Sequence, residues 1–129
     1  MKIVKENISF DCNAKELWNI LSDVSRCDWV PSVNKIIIED DCRVFEMDGI
    51  GEVKERILLN DCKNMTLKYS AIQTAAPLKH HLATMNVFYI DENSCKLEWT
   101  TEIEPDIYAD AVHHGMLISI KGINEVIKK

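Results

Sequence analysis

Much of the chain alternates between apolar and polar residues with a period of two, which is the pattern of half-buried β-strands. Residues 51–59 and 95–103 alternate cleanly, whereas residues 2–10 alternate weakly. The segments with strand character are 2–10, 33–39, 42–47, 51–59, 65–73, 80–90 and 95–103. Turn-forming residues such as Asp40-Asp41 and Asp48-Gly49 separate the later segments, so the pattern predicts hairpin connections between them.

Helical patterns interrupt the strands near the start of the chain and replace them at its end. Asn13 followed by Glu16 is a capping-box pattern and predicts a first helix. Ser22-Asp23 predicts a cap for a second short helix through residues 24–29, which Pro31 would end. From Pro105 onward the apolar period is helical, and about 20 residues would give a helix about 30 Å long. The predicted order is β-α-α, then six strands, then a helix.

This order predicts an α+β fold in which one twisted antiparallel sheet is covered by the long C-terminal helix. A long helix lying in the curve of a sheet can leave a cavity between the two. Gly115 and Gly122 fall on the inward stripe of that helix, where each glycine costs about 1 kcal/mol relative to alanine. Either the helix backbone packs closely against its neighbours at these glycines, or they keep a groove open for a ligand. Both can hold at different heights along the helix.

Length and charge narrow the function classes. A chain of 129 residues is the size of one domain, so we expect a single domain over residues 1–129. The formal charge of -6 disfavours a non-specific nucleic-acid binder. No apolar run approaches the roughly 18 residues of a membrane span, so integral membrane association is not expected. The charge fits a container for a neutral ligand.

Cysteine spacing and motif content bear on compartment and cofactors. Five cysteines occur without a CxxC pair, which is typical of reduced, independent thiols in a cytoplasmic protein. His113 and His114 are adjacent on a predicted helix and point about 100° apart, so they suit a surface pair rather than a metal site. There is no GxSxG, HExxH, P-loop or GxGxxG motif. The sequence therefore predicts no metal and no cofactor, and it leaves a homodimer open.

Three segments together resemble the START-like, polyketide cyclase/dehydrase superfamily, which includes the Bet v 1-like proteins. Residues 13–33 carry Trp18, an LSD turn at residues 21–23, and the Trp29/Pro31 pair that resembles the entry motif of the family. Residues 51–61 resemble its Glu-Arg strand, and Leu97-Glu98-Trp99 resembles its tryptophan strand. The resemblance spans essentially the whole chain.

The resemblance implies a helix-grip fold, with a seven-stranded sheet wrapped around a long C-terminal helix and an apolar cavity inside. Members bind lipids, sterols, quinones, plant hormones or aromatic polyketides, and some are cyclases or dehydratases. The plant hormone receptors of this superfamily carry gate and latch loops, which fall near residues 48–51 and 75–80 here. The signature residues of those loops are missing, which disfavours a hormone switch, and the resemblance implies mobile rims at both loops.

Glu55 and His81 are the candidate chemical residues, as general acid/base groups or as polar anchors. Strand parity places Glu55 inward with Val53, Ile57 and Leu59, where an ionised carboxylate is costly unless it is paired, solvated or protonated. Both faces of segment 80–90 are apolar, so its register stays open from the pattern alone. The resemblance favours His81 inward, beside Glu55, where the pair could move a proton.

The predicted function is binding of a hydrophobic or aromatic small molecule in the cavity. One alternative is a cyclase/dehydratase-type enzyme that uses Glu55 or His81, and another is a lipid or quinone chaperone. Aromatic residues and methionines on inward faces complete the predicted ligand site, although such residues more often form core. The predicted ligand-binding residues are Trp29, Glu55, Tyr69, His81, Met85, Trp99 and Met116.

Overall fold

The computed structural model describes residues 1–128 and has seven strands, two helices and a short 3-10 turn. The first half contains β1 (Lys2–Phe10), α1 (Ala14–Ser22), β2 (Ile36–Glu39), β3 (Cys42–Met47) and β4 (Gly51–Asp61). The second half contains β5 (Thr66–Gln73), β6 (His80–Asp91), β7 (Ser94–Glu104), the 3-10 turn Asp106–Tyr108 and α2 (Ala109–Ile127). The strand bounds predicted from alternation lie within a few residues of these.

All seven strands form one antiparallel sheet in the order β1-β7-β6-β5-β4-β3-β2. Strands β2 to β7 follow one another as hairpins, and β1 closes the other edge by pairing with β7. The buried residues of α2 include Met116, Ile120 and Ile123, which belong to the same apolar core as the inward residues of the sheet. The predicted α+β helix-grip fold is confirmed.

The short second helix that the sequence predicts over residues 24–29 is not formed. This segment contains isolated turns, closed by Arg26 N to Asp23 O at 3.0 Å and Val30 N to Cys27 O at 3.1 Å. The Asp23 carboxylate accepts from Ser25 N at 3.2 Å and Ser25 Oγ at 2.7 Å, so it closes a local turn rather than starting a helix. Short polar side chains often compete with helix formation in this way.

Burial along the strands settles which face points inward. In β7 the residues at alternate positions from Cys95 to Ile103 are buried, as the pattern predicts. In β6 the inward face carries Ala83, Met85 and Val87, which resolves the register that the sequence left open. In β4 the prediction for Leu59 is wrong, because a register shift between Ile57 and Leu59 turns Leu59 outward and leaves it 40% exposed.

Gly115 and Gly122 of α2 serve two different purposes. A Cβ at Gly122 would overlap the carbonyl oxygen of Trp29 and come within 3.0 Å of its carbonyl carbon. The turn segment therefore lies directly on the helix backbone at that height. A Cβ at Gly115 would meet no atom within 4 Å. Close packing explains Gly122, and open space lies beside Gly115.

Within residues 1–128, neither helix is both long and apolar enough to cross a membrane.

Candidate functional site: a cavity beneath the C-terminal helix

A cavity of about 450 Å³ lies between the sheet and the first half of α2. Its wall includes inward residues of β3 to β7, the Trp29 turn, and residues of the 48–50 and 74–78 loops. The helix contributes Ala111, Val112, Gly115, Met116 and Ser119. Because most of the lining is apolar, the few polar groups that face it decide what the cavity can hold.

A row of residues across four neighbouring strands forms the polar end of the cavity. Arg43 on β3 is opposite Glu55 on β4, and Glu55 is opposite Ala71 on β5. The backbone amide of Ala71 then donates to Nδ1 of His81 on β6 at 2.9 Å. The register of the sheet thus brings one cation, one carboxylate and one imidazole to the same height in the wall.

Arg43 and Glu55 form a nearly buried ion pair. Nε of Arg43 donates to Oε1 of Glu55 at 2.7 Å, and the two side chains are only 6% and 13% exposed. The guanidinium also lies over the ring of Tyr69, with Cζ 4.6 Å from the ring centroid. The ion pair offsets the desolvation cost of burying the Glu55 carboxylate. It also leaves this end of the cavity with no net charge.

Tyr69 remains a phenol. Burial raises the pKa of Tyr69 well above its usual range, and the nearby Glu55 charge adds to this effect, while the Arg43 charge opposes it. Its ring lies 6.1 Å from that of His81, centroid to centroid. A protonated Tyr69 can donate its hydroxyl hydrogen to a ligand.

His81 is held in its neutral form. A backbone N–H can only donate, so the bond from Ala71 makes Nδ1 an acceptor and puts the ring hydrogen on Nε2. Burial lowers the pKa of His81, and this outweighs the opposing influence of the Glu55 charge. His81 is therefore a hydrogen-bond donor through Nε2 in this arrangement and has no free basic nitrogen.

The lowered pKa of His81 predicts a loss of stability in acid. As pH falls through about 6.5, the pKa of histidine in the unfolded chain, His81 binds a proton in the unfolded state but not in the folded state. Stability should therefore fall with pH, by at most about 1.4 kcal/mol per pH unit for this one group. His81→Gln should remove that contribution, so urea denaturation of both proteins between pH 7.5 and 5 should give converging stabilities. Parallel curves would show that burial does not suppress His81 protonation.

Of the other predicted ligand-binding residues, Trp29, Trp99 and Met116 also line the cavity. The indole Nε1 atom of Trp29 is buried and has no hydrogen-bond partner within residues 1–128, whereas the side chain of Trp99 is close enough to Tyr69 to hydrogen-bond to it. The Thr101 hydroxyl donates to Sδ of Met116 at 3.5 Å, which fixes the methionine against the sheet. Met85, the remaining predicted ligand-binding residue, is fully buried in the core and does not line the cavity.

The profile of a family described as polyketide cyclase / dehydrase and lipid transport matches residues 1–122. The chain belongs to this family. No curated protein matches the sequence significantly.

Solved structures of this fold agree with the assignment to the family. The protein XoxI from Bacillus cereus superimposes with a TM-score of 0.89 at 17% identity, covering 98% of this chain and 95% of that one. Norcoclaurine synthase from Thalictrum flavum, solved with dopamine and hydroxybenzaldehyde, gives a TM-score of 0.77 at 17% identity, covering 98% of this chain and 86% of that one.

The two-domain ARO/CYC protein BexL of the BE-7585A biosynthetic pathway gives a TM-score of 0.85 at 13% identity. The match covers 99% of this chain and 47% of that one. At these identities the three likenesses show a shared fold.

Arg43 is the site residue of this family member that sequence reasoning missed. The signal was present, because Arg43 shares strand parity with Phe45 and Met47, which both line the cavity. The turn after Met47 pairs Met47 with Gly51, and counting back along the hairpin places Arg43 opposite Glu55. Applying the alternation rule to β3 would have paired the buried carboxylate with its cation.

The two adjacent histidines of α2 lie outside this site. Nε2 of His113 contacts Oε2 of Glu6 at 2.8 Å and so ties α2 to β1, while His114 is exposed. Within residues 1–128 no group of three or more His, Cys, Asp or Glu side chains is arranged to hold a metal ion.

Proposed function

We propose that this chain binds a small hydrophobic or aromatic molecule in the cavity between the sheet and α2. The observation that carries the proposal is an apolar cavity of about 450 Å³ with a single electroneutral polar end. This volume falls within the roughly 300–1,000 Å³ typical of small-molecule sites. Norcoclaurine synthase, which shares the fold, was solved with two aromatic molecules, and this supports an aromatic ligand here.

The polar end would orient the ligand through hydrogen-bond donors. Glu55 occupies Nε of Arg43, so the remaining guanidinium N–H groups are available to a ligand oxygen. The Tyr69 hydroxyl and His81 Nε2–H would add two further donors in the same wall. The unpartnered indole N–H group of Trp29 could also donate to a ligand acceptor. A ligand with oxygen acceptors at one end and an apolar body suits this arrangement.

These contacts favour ligand binding over acid–base catalysis by His81. The Glu55 carboxylate is already bonded to a guanidinium, and Nδ1 of His81 is already bonded to a backbone amide. A general base needs a free lone pair aimed at the substrate proton, and a general acid needs a proton it can release near neutral pH. His81 does not meet this requirement as positioned, whereas Glu55 has only Oε1 bonded to Arg43 and keeps the lone pairs of Oε2, so acid–base catalysis by Glu55 stays the alternative function.

A carrier of a lipid or quinone is the second candidate, and the cavity mouth supports it. Ile50, in the 48–50 loop, lines the cavity and is nevertheless half exposed. An apolar residue at the mouth could guide a water-insoluble ligand between the solvent-facing rim and the cavity. This second function would use the same cavity as the first. It differs only in that the protein would take up its ligand and release it elsewhere.

Native mass spectrometry of the purified protein, with extraction of any bound molecule, tests the proposal. We expect a fraction of the protein to carry one small molecule. Extraction with an organic solvent should release this molecule, and it should be apolar. Added aromatic compounds with a carbonyl or phenolic oxygen should bind with the same stoichiometry. Failure of both the co-purified and the added compounds to bind would contradict the binding function.

A further inference from the structure

The edge of the sheet at β2 is apolar and open. The sheet ends at β2 in the described chain, so one side of this strand has no strand partner. Ile37 and Ile38 are 50% and 48% exposed on that strand. Beside it lies a surface groove of about 340 Å³, whose wall includes Val24, Ile38 and Leu59. An exposed apolar edge strand is a template for pairing with another chain.

The opposite edge of the sheet, formed by β1, carries charged residues. β1 carries Lys2, Lys5 and Glu6 among its nine residues, and Lys5 and Glu6 contact Glu98 and His113. Charged side chains on an edge strand discourage pairing with a second sheet. The asymmetry between the two edges points to β2 as the interaction surface.

The sequence around β2 is complementary to itself. Two antiparallel copies centred on Ile37 would place Ile37 opposite the partner's Ile37, and Ile36 opposite the partner's Ile38. The same register would place Lys35 opposite the partner's Glu39, and this pair would occur twice because of the two-fold axis. Centring the pair on Ile36 or Ile38 would instead set isoleucines against Lys35 or Glu39 and Asp40.

The charges in this register are available for pairing. Lys35 is exposed and forms no ion pair with any residue in the described part of the chain. Glu39 is 55% exposed, and its Oε1 is 3.7 Å from Lys54 Nζ, which is a long contact that leaves the second oxygen open. We propose that two copies of this chain associate through β2 as an antiparallel pair centred on Ile37, forming one continuous sheet of both subunits.

Sedimentation velocity of the full chain over a concentration series tests this pairing. The wild-type protein should show a reversible monomer–dimer equilibrium. Ile37→Lys, which sets two lysines against each other, should weaken association at least about tenfold. Ile3→Lys, at an exposed isoleucine on the β1 edge, is the matched control and should leave the dimer unchanged.

Charge-reversal variants distinguish this pairing register from any other contact through β2. Lys35→Glu should weaken association about tenfold, because two attractive pairs become repulsive. Adding Glu39→Lys to Lys35→Glu should restore the dimer, since each pair then has opposite charges again. A wild-type protein that stays monomeric at its highest soluble concentration would overturn the proposal. Disruption of the dimer by Ile3→Lys would also overturn the proposal. The same holds if the double variant associates as weakly as Lys35→Glu.

Discussion

Replacing Arg43 with leucine should destabilise the protein by about 3 kcal/mol, which is the scale of removing one partner from a buried ion pair. The Glu55 carboxylate would be left at 13% exposure without its guanidinium, and Tyr69 would lose the cation over its ring. Urea denaturation at neutral pH measures the change directly. The loss should appear as a lower transition midpoint with an unchanged slope.

Two further variants identify the cause of that loss. Replacing both Arg43 and Glu55 with leucine should return stability to within about 1 kcal/mol of wild type, because no uncompensated charge remains. Arg56→Leu is the matched control, since its pair with Asp41 has a 3.3 Å contact and side chains that are 48% and 60% exposed. It should cost less than about 1 kcal/mol. Equal losses for Arg43→Leu and Arg56→Leu would contradict a buried pair.

Gly122→Ala should destabilise the protein by about 2 kcal/mol. The new Cβ would overlap the backbone carbonyl of Trp29, and a backbone atom cannot rotate away as a side chain does. Overpacking of this kind costs roughly 1–3 kcal/mol, which outweighs the usual gain of alanine over glycine in a helix. Thermal or urea denaturation would measure the loss.

Gly115→Ala is the control within the same helix, and it should have the opposite sign. Its Cβ would meet no atom within 4 Å, so only the helix propensity changes. Stability should rise by up to about 1 kcal/mol. If the two substitutions shifted stability in the same direction by similar amounts, the close approach of the Trp29 turn to α2 would be refuted.

Residue patterns were sufficient to predict the strands because several of them alternate cleanly and turn-forming residues separate the others. The inward face of β7 and the helical period after Pro105 follow from side-chain spacing alone, and both agree with the structure. Two local predictions failed where backbone geometry decides. A bulge turned Leu59 outward, and the Asp23 carboxylate closed a turn in place of the second helix. Neither event changes the apolar pattern from which the elements were predicted.

The site was only partly predictable for a related reason. Parity placed Glu55 inward, but its role depends on Arg43, whose position requires the register between β3 and β4. The donor role of His81 depends on a backbone amide of β5, which no side-chain pattern contains. The register between strands pairs Oε1 of Glu55 with Arg43 and makes His81 a hydrogen-bond donor through Nε2.

The cavity beneath α2 should bind an apolar small molecule, and fluorescence titration with the neutral dye N-phenyl-1-naphthylamine tests this binding most directly. Gly115→Phe should place its ring in the open space of the cavity, whereas Ile118→Phe, at an exposed position of the same helix, should not. We expect saturable one-to-one binding to wild type and Ile118→Phe, and binding weakened at least about tenfold in Gly115→Phe. Equal dye binding by all three proteins, or none by wild type, would contradict it.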